Sequence, residues 1–273
     1  MNPIFLSLLL ISLPASALVG QNASTGYGRV GYLHVEGTYG SRCLATLLEQ
    51  DIAVTSAHCL AGFDWRSRTV YFARSGEAGL TPIDDVAVSP DYAPATKLSN
   101  SDIALVRLKH EWGTADSPYP LAERPVGLGS EATVISLQHN EGNMRDQRPD
   151  TLGTVQIVFR NAGNSLDLVI AGTKDSAGQL CPGDSGAPVV QEGMLVGIIA
   201  AGTMPTNIPI EQLTCKDFSN PQVLSLYPHR EWIKKAVGQL RSRQGPAKVA
   251  GHALPALVAR LPSAEELSAQ LAR

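Results

Sequence analysis

Cys181-Pro182-Gly183-Asp184-Ser185-Gly186-Ala187-Pro188 sets one hydroxyl between two glycines, with an aspartate directly before it. Such a run predicts a tight exposed turn that aims backbone N–H groups and the serine Oγ at one point. That geometry suits acyl transfer, which needs a nucleophile beside a cradle for the negative charge that grows on an attacked carbonyl. Four small residues also make an ordinary polar turn, so the chemistry requires a base and an acid from elsewhere in the chain. Two stretches offer them. Ile52-Ala53-Val54-Thr55-Ser56-Ala57-His58-Cys59 ends an apolar run in a histidine, beside a cysteine able to pin it. Ser101-Asp102-Ile103-Ala104-Leu105-Val106-Arg107-Leu108 puts a carboxylate at the head of another apolar run. Either feature alone is commonly structural, but a carboxylate so close to buried residues needs a partner, because an unpaired buried charge is costly. The three residues lie 44 and 83 positions apart (102 − 58 and 185 − 102).

Bringing such distant residues together falls to short strands. Apolar, β-branched runs bounded by turn residues predict strands at 30–35, 42–48, 52–55, 69–73, 83–88 and 103–108. A second group follows at 132–137, 154–159, 166–170, 188–190, 194–200 and 223–226, and Pro90, Pro94, Pro118, Pro120 and Pro125 punctuate the loops. Two sets of about six strands, with no long helix between them, predict an all-β fold of two packed six-stranded antiparallel β-barrels. One C-terminal helix is predicted from 229 to 240, with Trp232, Ile233, Ala236, Val237 and Leu240 on one face and Pro228 just before its start. Residues 241–273 form an Ala-, Leu- and Pro-rich extension, either loose or a short docking helix capped by Ser263 and Glu266.

At 273 residues the chain is long enough to bury a substantial core. Its 22 basic and 25 acidic residues leave a formal charge of −3, which argues against nucleic acid or an anionic membrane as partner. No apolar run approaches the ~20 residues of a membrane span. Residues 4–13 are apolar and lead through Pro14 to Ala15-Ser16-Ala17, a small-x-small cleavage pattern, so 1–17 reads as a secretory signal peptide although Met1-Asn2-Pro3 carries no Lys or Arg. An exported chain, extracellular or periplasmic, makes two disulfides the default for four cysteines, and spacing alone leaves all three pairings open. C-x-x-C spacing is absent, no acidic cluster resembles a metal loop, and neither a metal nor a cofactor is expected.

Thr55-Ser56-Ala57-His58-Cys59, Ser101-Asp102-Ile103-Ala104-Leu105-Val106 and Gly183-Asp184-Ser185-Gly186-Ala187-Pro188 resemble the three signatures of the chymotrypsin/trypsin-like serine peptidases, in that family's order of His, Asp, Ser. The resemblance covers about 18–240. It implies Ser185 as nucleophile, His58 as general base and then acid, Asp102 as the orienting carboxylate, and the N–H groups of Gly183 and Ser185 as the oxyanion hole. It also implies the disulfides Cys43–Cys59 and Cys181–Cys215, and protein or peptide substrates. Leu18-Val19-Gly20 resembles the family's mature start, which implies that signal cleavage after Ala17 frees an amine at Leu18 to anchor on Asp184. The resemblance puts the floor of the primary pocket at Gln179, its wall at Ala200-Ala201-Gly202, and Gln222 where glycine is usual. A neutral Gln179 argues against a strong Arg/Lys preference unless Glu211 or Asp217 reaches the pocket. Pro182, Ala187 and Ala201 depart from common family residues and mark a divergent or bacterial-like member. Two functions are open: a secreted endopeptidase, or a catalytically weak or inactive binding protein on the same fold. Retention of all three residues favours the enzyme.

Overall fold

The computed structural model describes residues 27–35, 43–60, 70–74, 80–93, 101–112, 117–137, 152–162, 168–173, 180–181, 183–203, 205, 207–208 and 214–243. Residues 1–26 with Leu18, Gln179, Pro182, Glu211 and residues 244–273 lie outside that set. Twelve strands close into two antiparallel barrels. The first contains β1 (Val30–Val35), β2 (Cys43–Leu47), β3 (Ile52–Thr55), β4 (Val70–Arg74), β5 (Leu80–Val88) and β6 (Ala104–Leu108), in the order β1-β2-β3-β6-β5-β4. The second contains β7 (Glu131–Leu137), β8 (Leu152–Ala162), β9 (Leu168–Thr173), β10 (Pro188–Gln191), β11 (Met194–Thr203) and β12 (Ser219–Ser225), in the order β10-β11-β12-β9-β8-β7. Each predicted strand corresponds to one of these, with ends displaced by a few residues. Closure leaves no long unpaired edge in either sheet.

Three apolar clusters hold the molecule together. Leu33, Ala45, Leu47, Ala53 and Val106 fill the first barrel. Val134, Ile157, Phe159, Val189 and Val196 belong to the core of the second. The third cluster lies between them: Ile52, Val54, Ile103 and Leu105 from the first barrel pack with Leu195, Ile198 and Leu224 from the second. Alternate residues of β3 and β6 therefore serve the barrel interior and the interface in turn. All four residues of β3 and all five of β6 are buried, which is why those stretches are apolar without polar alternation.

The helix α1 (Arg230–Ser242) ends the described chain, two residues longer at its C-terminus than its pattern predicts. Its buried stripe is Ile233, Ala236 and Leu240, which join the inter-barrel cluster, with Trp232 and Val237 partly buried beside them. A buried Arg107 on β6 receives its end. The guanidinium donates to Asp84 (Nε to Oδ2, 3.0 Å), to the carbonyl of Arg243 at 2.6 Å, and to the carbonyl of Leu240. A cation at the last turn satisfies carbonyls that have no intrahelical donor and complements the helix dipole. Arg243 answers with a 3.2 Å bond to Asp85. Arg107→Met leaves those carbonyls and Asp84 without their partner. Its expected cost is about 3 kcal/mol, read as a lower urea midpoint at an unchanged slope.

Candidate active site

His58 lies in a short 3-10 turn, Ala57–Cys59, directly after β3. The Cys43–Cys59 disulfide ties its neighbour to β2. Asp102 stands just before β6, and antiparallel pairing of β3 with β6, Thr55 opposite Ala104, brings the two loops side by side. The carboxylate then takes both N–H groups that His58 presents: backbone N to Oδ1 at 2.8 Å and Nδ1 to Oδ2 at 2.7 Å. The side chain of Asp102 is 10% exposed and that of His58 39%, so the pair has one buried and one open end. With Nδ1 bonded to a carboxylate, Nδ1 carries the proton and Nε2 is left as the acceptor. Tyr92 borders this pair. Burial, and then the nearby Asp102 charge, push its hydroxyl above the ordinary tyrosine value.

Ser185 comes from the second barrel, in the turn before β10. Gly183 (φ 109°) and Gly186 (φ 81°) provide the left-handed backbone on either side of it. Asp184 is fully buried beneath the turn. Its Oδ2 accepts the Cys181 N–H at 2.7 Å, while its own N–H donates to the Cys181 carbonyl and its carbonyl accepts from Ala187. The N–H groups of Gly183 and Ser185 have no acceptor among the described residues. A developing oxyanion needs backbone donors of this kind beside the nucleophile.

Two backbone groups connect the barrels at this point. Leu44 N–H donates to the Ser185 carbonyl at 2.7 Å, and the Leu44 carbonyl accepts from Thr55 Oγ1 at 2.7 Å. The Ile199 carbonyl accepts both the Gly186 N–H at 2.7 Å and Ser56 Oγ at 3.0 Å. Thr55 and Ser56 immediately precede the histidine turn, so the serine turn and the histidine turn share the same two anchors. Sequence reasoning passed over Thr55 and Ser56 as anchors. Their signal was two hydroxyls at the end of an otherwise apolar run, both fully buried.

The meeting of the three side chains is incomplete. Among the described residues no hydrogen bond joins Ser185 Oγ to His58, and Nε2 lies 3.8 Å from Cys59 Sγ. Hydrogen bonds of this kind commonly tighten only when substrate is bound. Because Cys43 and Cys59 are joined to each other, neither supplies a thiolate for a metal beside His58.

The other expected residues distribute as follows. Cys181–Cys215 is the second disulfide and links the serine turn to the segment before β12. Ala200 is buried on β11, and Gly202 follows near that strand's end. Gln222 on β12 pairs with Ala201 and buries an Oε1 that finds no hydrogen-bond partner among the described residues. The floor position, Gln179, is outside the described residues, as is Leu18, the expected partner of Asp184. Asp217, one of the two acids with the option of reaching the pocket, is engaged by Thr214. Its Oδ2 accepts the N–H and the Oγ1–H of Thr214, each at 2.8 Å, and closes a capping box on the 3-10 turn Cys215–Asp217. These bonds, the backbone one foremost, hold its carboxyl below the ordinary aspartate value. The cap is therefore complete above the ordinary aspartate value and is lost as pH falls through the depressed one. Protection of residues 215–218 against amide exchange, relative to the intrinsic rate at each pH, is expected to fall across that acid step, and Asp217→Asn is expected to abolish the step.

The family model described as trypsin matches residues 18–211. Among curated relatives, human kallikrein-15 is 29% identical over 221 residues, covering 71% of this chain and 81% of the relative. The vitellin-degrading protease of Bombyx mori is 26% identical over 219 residues, with 73% and 77% covered. Among solved structures, kallikrein-related peptidase 10 in complex with Zn2+ aligns with a TM-score of 0.60 at 16% identity, over 78% of this chain and 97% of that one. Neuropsin of mouse brain aligns at 0.59 and 21% identity, over 78% and 95%. The described residues contain no helix long and apolar enough to cross a membrane.

Proposed function

Because the chain belongs to the trypsin-like serine peptidase family, we propose that it is an active serine endopeptidase that cleaves peptide bonds through an acyl-enzyme on Ser185. Ser185 Oγ attacks the scissile carbonyl while His58 Nε2 takes its proton. The tetrahedral oxyanion is held by the N–H groups of Gly183 and Ser185, each such donor contributing about 3 kcal/mol to the transition state. His58 then protonates the leaving amine, and a water repeats the sequence to release the acid. The observation that carries this reading is the pair of bonds that Asp102 accepts from His58, one from the backbone N–H and one from Nδ1. They fix the ring's tautomer and leave Nε2 as the base.

Secretion is the compartment that suits two disulfides, following removal of residues 1–17. An ammonium at a new N-terminus, Leu18, anchored on the buried Asp184 is the activation that membership of this family implies. A neutral Gln179 and the engagement of Asp217 by Thr214 support a primary pocket without strong preference for Arg or Lys.

The test is covalent labelling of the processed protein with a small fluorophosphonate, with Ser185→Ala as control. Labelling that disappears in the variant is the expected result. The missing bond between Ser185 Oγ and His58 is the observation that favours the other reading, an inactive binding protein on this fold. No labelling of protein whose N-terminus has been verified makes that reading the better one.

A further inference from the structure

We infer that Phe218 is the residue that limits the size of side chain the primary pocket accepts, restricting it to small residues such as alanine. This inference rests on the peptidase reading above. A Cβ built on Gly202 would lie 2.1 Å from Phe218 Cζ and 2.4 and 2.6 Å from its two Cε atoms. The tip of the ring thus occupies the space that a side chain at position 202 would fill. Gly202 belongs to the stretch that leads away from the nucleophile: Gly186 bonds Ile199 at the Ser185 turn, and the chain runs on through Ala200 and Ala201 to Gly202. A substrate residue entering beside Ser185 along this strand meets the ring rather than a bare glycine backbone.

The ring is held from several sides. Phe218 N–H closes the 3-10 turn onto the Cys215 carbonyl at 3.1 Å. That turn is capped by Thr214 and Asp217 and joined through Cys215 to Cys181, four residues before the nucleophile. On the other side, Ser219 pairs with Thr203 and donates to its carbonyl at 3.4 Å. Between the pairs Thr203↔Ser219 and Ala201↔Gln222 the register slips, and Asn220 takes a positive φ of 46°. The bulge lets β12 carry an extra residue there and re-aims the chain around Phe218. The ring also packs against the core of the second barrel. A ring positioned by a disulfide, a cap, a strand pair and a core contact is a wall of the pocket.

The test uses the processed full chain, with aryl phosphonate esters carrying either an alanine or a phenylalanine side chain at the reacting position, and a small fluorophosphonate that carries neither. The wild type is expected to react at least about tenfold faster with the alanine reagent than with the phenylalanine one. Phe218→Ala should raise the phenylalanine-to-alanine ratio by about tenfold or more. Phe218→Leu keeps an apolar contact with the core and should shift the ratio in the same direction by less, which covers the case in which the alanine variant folds poorly. A wild type that prefers the phenylalanine reagent overturns the inference. So does an unchanged ratio in either folded variant. Failure of every form to react with the small fluorophosphonate indicts the nucleophile instead, and removes the peptidase reading together with what rests on it.

Discussion

Asp102→Asn is expected to lower kcat about 10⁴-fold, the loss characteristic of Ser-His-Asp triads, with little change in fold. The carboxylate accepts from His58 twice, at Oδ1 and at Oδ2. An amide has one acceptor oxygen and one NH2 group, so it can satisfy only one of those donors. If the amide oxygen keeps the backbone N–H, the NH2 faces Nδ1, Nδ1 becomes an acceptor, and the ring proton moves to Nε2. Nε2 can then no longer take the Ser185 proton. Steady-state hydrolysis of a peptide ester, normalised to protein with an unchanged thermal melt, reads the effect. Ser185→Ala provides the floor, at about 10⁶-fold below wild type. A loss under tenfold in the asparagine variant would show that Asp102 does not orient the base.

Gly186→Ala is expected to destabilise the protein by about 3 kcal/mol or more and to inactivate the fraction that still folds. The backbone at Gly186 has φ 81°, which costs an L-residue about 1–2 kcal/mol. A methyl group there would also stand 2.0 Å from the Leu44 carbonyl oxygen and 2.5 Å from Thr55 Oγ1. These are the backbone oxygen and hydroxyl that bond each other beneath the serine turn, and forcing atoms into such a packed site typically costs a further 1–3 kcal/mol. Moving Leu44 also moves its N–H, which holds the Ser185 carbonyl. Urea unfolding and the fluorophosphonate labelling rate measure the two effects separately. An alanine variant within about 0.5 kcal/mol of wild type would mean the turn is not confined in this way.

Strand existence was legible because buried apolar, β-branched runs are bounded by turn residues. Strand ends were less so, and β12 is the clearest case. Its apolar pattern begins at Val223, whereas pairing begins at Ser219. Asn220 and Pro221 look like loop residues by type, and they are accommodated because a bulge excuses them from the regular ladder. Arg107 shows the opposite failure. A charged residue inside an apolar run gave no hint of its partners, because they are Asp84 on another strand and two carbonyls at the end of a helix that begins more than a hundred positions later.

For the candidate site, the residue types and their order are properties of the sequence itself. A serine between glycines, a histidine after one apolar run and an aspartate before another are each short, local patterns, and the chemistry they permit follows from their functional groups. Tertiary structure alone decided how they are held. Closure of the first barrel aligns β3 with β6 and so delivers His58 to Asp102. Contact between the barrels lets Leu44 and Ile199 anchor the serine turn and the histidine turn together. The same is true of Phe218, whose ring meets Gly202 only because a disulfide, a capped turn and a bulged strand converge there. A local apolar run records that a strand is buried. It carries no record of which distant backbone atom will lie opposite, because that depends on the closure and docking of both barrels.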